Sequence, residues 1–190
     1  MTDIATLVGS VNNTIGDCDM ANAANVYYET PKFICKFPNL DETEKYQEQD
    51  TGQYSVTMCF NKDEVKEDDI LAKIKEAAEN DPKVSKAKNW HNPLKDGDET
   101  GKDWSMGCWV IKAKTKFDVK AVNSDGSSVN VDDIIWDNAI CRAHVIFRPY
   151  VAGGNMGVTC SLRDIQYVEG NGSMGGSSVP TYTPLEDVPF

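Results

Sequence analysis

The chain has 190 residues, 40% of them apolar, and a formal net charge of −11. That length supports one domain with its own core, and no apolar run approaches the length that spans a bilayer. Residues 1–20 lack the basic start and apolar stretch of a signal peptide, so a soluble, cytosolic protein is expected.

Residues 1–24 are small and polar with weak periodicity, and read as an N-terminal arm. From Asn25 the pattern turns β-prone. Val26-Tyr27-Tyr28 and Lys32–Phe37, punctuated by Pro31 and Pro38, predict a first strand or bent strand pair. Residues 39–52 form an acidic loop. In Gln53–Asn61, Tyr54, Val56, Met58 and Phe60 alternate with Ser55, Thr57, Cys59 and Asn61, the period of a strand with one buried face. Lys66–Asn80 reads as a helix: Ile70, Leu71, Ile74, Ala77 and Ala78 recur at helical spacing, acids crowd its start, and Asn80-Asp81-Pro82 ends it.

Residues 83–107 form a connection too long to be idle in a compact domain, and Trp90 and Trp104 argue against plain disorder. Cys108–Val122 is the clearest strand, with Trp109, Ile111, Ala113, Thr115 and Phe117 on one face. A turn at Asn123–Ser128 and a short acidic connection lead to two last strands, Ala139–Val151 and Gly157–Val168, joined at Gly153-Gly154-Asn155.

Five main strands with one helix inserted after the second predict a mainly β fold. The expected architecture is a closed or nearly closed five-stranded barrel of the oligonucleotide-binding (OB) type. The domain division is then an arm over residues 1–24, a barrel over 25–168, and a flexible glycine-serine linker with an acidic tail over 169–190.

Six cysteines, Cys18, Cys35, Cys59, Cys108, Cys141 and Cys160, are scattered without a C-x-x-C pair. Buried, reduced thiols suit that spacing better than a metal site. Asp96-Gly97-Asp98-Glu99 lacks the fuller ligand spacing of a calcium loop, and an acidic turn is the simpler reading. No catalytic site, metal or cofactor is expected.

The net charge conceals a segregated distribution. Three of the 30 acidic side chains, Glu169, Glu186 and Asp187, and none of the 19 basic ones, lie beyond residue 168. Bases concentrate in Lys83–Lys95, Lys112–Lys120 and Arg142–Arg148, and local field decides what a groove binds. Lys112, Lys114 and Lys116 emerge from one face of a strand, heads roughly 7 Å apart, close to the phosphate spacing of an extended single strand. Arg142, His144, Arg148 and Tyr150 share a face on the strand that follows. Such stripes fit either a solvated outer face or a phosphate track. Flat rings beside them favour the track, because exposed bases stack on aromatics. Tyr150, Trp90 and Trp104, with Lys95, complete the candidate site. Phe33, Phe37, Tyr54, Phe60, Trp109, Phe117 and Phe147 are expected to fill the barrel and Trp136 to be structural.

Four segments, in order, carry a resemblance: Gly52–Thr57, Asn92–Asp98, Cys141-Arg142-Ala143 and Gly157…Leu162–Gln166. Beyond them the chain runs through Gly175-Gly176 to Leu185-Glu186-Asp187-Val188-Pro189-Phe190. Over roughly residues 25–176 plus the tail, this resembles the phage-encoded single-stranded DNA-binding proteins with an OB barrel. The resemblance implies a non-catalytic protein that coats single-stranded DNA without sequence specificity in phage replication, recombination and repair. The host cytoplasm is the expected location, and open barrel edges leave both monomer and homodimer as expectations. Leu185–Phe190 would be an amphipathic hook that recruits a polymerase or a helicase/primase. Only two acids precede Val188, fewer than in the richest tails of that family. A phage structural or adaptor barrel that binds protein is the alternative.

Overall fold

The structure, a computed structural model, describes residues 24–169. Of the expected arm over residues 1–24 all but Ala24 lies outside them, as do the linker from Gly170 and the hook at Leu185–Phe190.

The first β-prone stretch divides into β1 (Val26–Glu29) and β2 (Phe33–Asn39), on either side of Pro31. A two-residue pair, β3 (Lys45–Tyr46) and β4 (Gln49–Asp50), forms a separate hairpin in the acidic loop. β5 (Tyr54–Asn61) and α1 (Glu67–Glu79) follow within a residue of expectation. Then come a four-residue helix α2 (Pro82–Ser85), a short β6 (Lys95–Asp96) and two 3-10 turns at Asp98–Thr100 and Asp103–Ser105. β7 (Cys108–Thr115), β8 (Lys120–Val122), β9 (Ser128–Val129) and the short α3 (Val131–Ile134) lead to β10 (Ile140–Ala152) and β11 (Asn155–Glu169).

Five strands close a ring: β2 pairs β5, β5 pairs β7, β7 pairs β11, β11 pairs β10, and β10 returns to β2. All are antiparallel except β7 and β11, which run parallel and meet at Lys114 and Ser161. β1 extends the ring on the free edge of β10, and β8 on that of β11. The mainly β barrel and the helix after β5 are as the sequence predicts; α2 and α3 add single turns.

The barrel forms here because alternate residues of each strand are apolar and face one interior. Val56, Met58 and Phe60 of β5, Ile111 and Ala113 of β7, Val145 and Phe147 of β10, and Val158 and Leu162 of β11 are buried together. Phe33 meets Phe60 edge-on at 5.7 Å between ring centroids. α1 lays Ile70, Ile74, Ala77 and Ala78 on the same core, and Glu67, Asp68 and Asp69 suit the positive end of its dipole. Gly153 and Gly154, both at positive φ, make the two-residue turn that twists with the β10–β11 ribbon. Arg163 is an extra residue in β11: His144 pairs Asp164 and Val145 pairs Leu162, so the bulge lets Leu162 and Ile165 both face inward.

Two differences from expectation bear on function. β5 is buried on both faces, because Cys59 is covered from outside by a second apolar cluster with Cys108, Val110, Ile34 and Trp104. The lysine-bearing strand stops at Thr115 instead of running to Val122. It loses β5 as a partner there, bends, and resumes as β8 on β11. Phe117 sits in that bend and is 79% exposed rather than core. Phe37 also leaves the core: its backbone turns to φ 49° before Pro38 and its ring is 52% exposed. No helix among the described residues is long and apolar enough to cross a membrane.

Candidate functional site

β7 and β11 touch at a single paired position, so a seam opens between them above and below it. The 83–107 connection fills the upper part. β6 pairs β7 there, Lys95 opposite Val110 and Asp96 opposite Trp109. His91 bridges to β11: its N–H donates to the Met156 carbonyl at 2.8 Å, and Val158 N–H donates to its carbonyl at 3.0 Å. The connection is therefore ordered, and it builds one wall of a groove whose other wall is β7.

That groove, about 1210 Å³, is lined by eight basic side chains: Lys95, Lys102, Lys112, Lys114, Lys116, Lys120, Arg148 and Arg163. Only two acids join them, and both have other duties. Asp118 accepts the Tyr54 hydroxyl at 2.9 Å, and Asp164 meets His144 Nδ1 at 2.7 Å. A chain at −11 overall thus carries a cleft of opposite sign. Arg148 lines the groove, and its Nε is buried without a hydrogen-bond partner among the described residues.

Aromatic rings sit among these charges. Phe37 packs edge-on against Trp104 with centroids 5.1 Å apart, and the Lys102 ammonium stands 5.6 Å over the Trp104 ring. Phe117 projects from the bend after β7. Cationic heads with flat rings, in a channel open to solvent, suit an extended polyanion with stackable groups.

Of the residues expected from sequence, the groove brings together Lys112, Lys114, Lys116, Arg148, Lys95 and Trp104. It does not include Arg142, His144, Tyr150 or Trp90. Arg142 pairs with Glu29, which β1 delivers beside it, and His144 lies between Asp164 and Glu29. These two line or border a smaller recess with Tyr27, whose ring lies 5.5 Å from the Arg163 guanidinium. Tyr150 is half-buried opposite Gly157, and Trp90 packs against the main core. Trp136 also packs on that core, edge-on to Tyr167 at 6.3 Å.

Sequence reasoning missed Phe37, Lys102, Phe117, Lys120 and Arg163. Pro38 was the available signal for Phe37, since a proline cannot donate to the ladder and marks an interruption of the strand. Arg163 had none, because its placement depends on the bulge.

Two acids of the Asp96–Glu99 turn, Asp96 and Asp98, pair with a lysine. The Lys62 ammonium pairs with Asp96 and lies 2.6 Å from Asp98 Oδ2, while standing 4.4 Å over the Trp109 ring. The Lys62 ammonium hydrogen-bonds both carboxyls and holds them below the usual carboxylate range. Among the described residues no cluster of three or more His, Cys, Asp or Glu could hold a metal ion.

A closed five-stranded barrel with a basic, aromatic-bearing groove across it defines an OB-type fold. The family model described as Enterobacter phage Enc34, ssDNA-binding protein, matches residues 29–182, and the chain belongs to that family. Among solved structures, the single-stranded DNA-binding protein from bacteriophage Enc34 in complex with ssDNA is similar at 19% identity and TM-score 0.65. The match covers 78% of this chain and 89% of that one. Gp2.5, a single-stranded DNA-binding protein encoded by bacteriophage T7, is similar at 13% identity and TM-score 0.57, covering 75% and 91%. At these identities the likeness establishes the fold. No curated protein matches the chain.

Proposed function

We propose that this chain binds single-stranded DNA along the groove, through phosphates and base faces and without sequence preference. The observation that carries this is the joint placement of Lys112, Lys114, Lys116 and Arg148 with Phe37, Trp104 and Phe117 on one open channel. Family membership supports it, as does the ssDNA complex of the Enc34 protein. The groove's cationic heads and ring faces are chemistry that every base and phosphate satisfies.

The test is titration with oligo-dT across salt, followed by tryptophan fluorescence. Half-buried Trp104 should be quenched, and log affinity should fall with log salt at about −0.7 per phosphate neutralised. Duplex of equal length should bind much more weakly. Equal affinity for duplex, or no binding at low salt, would sink the reading.

On this reading the protein is a non-catalytic coat for exposed strands during phage replication, recombination and repair in the host cell. The segment Leu185–Phe190 is its candidate hook for a polymerase or a helicase/primase: a ring and two acids on a proline-containing peptide.

A further inference from the structure

Glu44 stands at the base of the β3–β4 hairpin. Its N–H donates to the Gln53 carbonyl at 2.7 Å, and its own carbonyl accepts from Thr51 N–H at 2.9 Å and Thr51 Oγ1 at 2.7 Å. The backbone is pinned, and the side chain reaches across to β7. One carboxylate oxygen pairs with Lys112, and the other lies 3.2 Å from the Lys114 ammonium. The Glu44 side chain is only 19% exposed, against 42% and 44% for the two lysines. Burial raises its pKa, but the two lysines together outweigh that and hold it below the ordinary carboxylate range. The group is therefore an anion at neutral pH. Neither lysine has another acidic partner among the described residues, and Lys116 next along has none.

A single anion bridging two lysines of the groove wall engages the same cations that a backbone phosphate in the groove would meet. We infer that Glu44 is a built-in stand-in for phosphate: it holds Lys112 and Lys114 in the free protein, surrenders them to DNA, and so sets affinity and salt dependence. The inference rests on the groove being the DNA site. Glu44 acts through the lysines and is a positioning residue. Its hairpin is tied to the residue that precedes β5 by the Gln53 bond and reaches the ring strand β7 through this carboxylate, so the exchange leaves the barrel's ladder intact. The pinned backbone keeps the carboxylate beside the lysines even after it yields them, so it subtracts up to one positive charge from what the strand meets.

The experiment compares wild type, Glu44→Gln and Glu44→Asp by oligo-dT titration between low and moderate salt, with thermal melts alongside. Glu44→Gln should bind about three- to ten-fold tighter at low salt, the scale of one or two half-exposed ion pairs. Its log–log salt slope should steepen by about 0.7, one phosphate equivalent. Glu44→Asp should keep the wild-type slope. In a Lys112→Ala/Lys114→Ala background, Glu44→Gln should change nothing. A purely structural role would lower the melting temperature and weaken binding with the slope unchanged, which overturns the inference. So does wild-type affinity in Glu44→Gln. Failure of wild type to bind any single strand would instead overturn the groove reading, and this inference with it.

Discussion

Gly157 and His91 touch backbone to backbone: a Cβ at Gly157 would lie 2.4 Å from the His91 carbonyl oxygen. This contact is what fastens the connection that carries Trp104 and Lys102 to β11. Gly157→Ala must push His91 away, because backbone on both sides cannot yield as a flexible side chain would. The expected cost is about 1–3 kcal/mol, the range of an overpacked core site. Urea unfolding should show it, and oligo-dT affinity should fall as one groove wall shifts. Thr159→Ala, at an exposed position on the same strand, should leave the midpoint almost unchanged.

Phe117→Ala separates binding from stability. The ring is nearly free of protein contact, so unfolding should move by no more than about 0.5 kcal/mol. If the ring stacks on a base, affinity should drop by about 1–3 kcal/mol. A large loss of stability with intact affinity would return Phe117 to a structural role.

Lys112→Ala and Lys114→Ala should weaken binding equally for oligo-dT, oligo-dC and mixed sequence, since they meet phosphates. Each should flatten the salt slope by at most about 0.7, and by less if Glu44 already neutralises part of its charge. Arg142→Ala is the contrast. Its guanidinium is engaged by Glu29 away from the groove, so the slope should stay as in wild type.

The strands and the helix were legible because periodicity reports which side of an element faces the core. β5 and α1 fall where alternation and helical spacing put them. What covers the other side is set by residues far away in sequence. Arg142 and Arg148 share one face of β10, yet β1 brings Glu29 to the first and the groove receives the second. Phe37 and Phe117 carry the right alternation for core, but each sits where its strand loses its partner. Glu44 was unreadable for the same reason: an acid in an acidic loop gives no sign that two lysines await it.

The five described cysteines are buried, and burial pushes the Cys59 thiol up to about 12 and raises Cys108 and Cys160 as well. A thiol reagent at pH 8 should therefore leave these five largely unmodified in the native protein and label all of them in guanidinium. The same shifts make stability depend on pH. Folding favours the protonated thiol, so this contribution is complete below the ordinary thiol range and declines as pH rises through it. Denaturant midpoints should fall between pH 8 and 10. A flat profile, with rapid native labelling of more than Cys18, would contradict the buried assignment.

Deleting Leu185–Phe190 should leave single-strand affinity equal or slightly higher while abolishing capture of purified replication enzymes. Loss of DNA affinity in that truncation would assign the segment to the binding site instead.

The two walls of the groove differ in mechanical character. Lys112 and Lys114 ride on β7, which is laddered to β5 along its whole length, so their spacing is dictated by the pleat. Trp104 and Lys102 ride on a 3-10 turn and its approach, joined to the barrel by short pairings at His91, Lys95 and Asp96. On the proposed reading, one side is a fixed ruler for the sugar-phosphate repeat, and the other is a separately held rest for the bases. Indifference to sequence would then follow from a division of labour: the invariant part of the polymer meets the laddered wall, and its variable part meets the ring-bearing one.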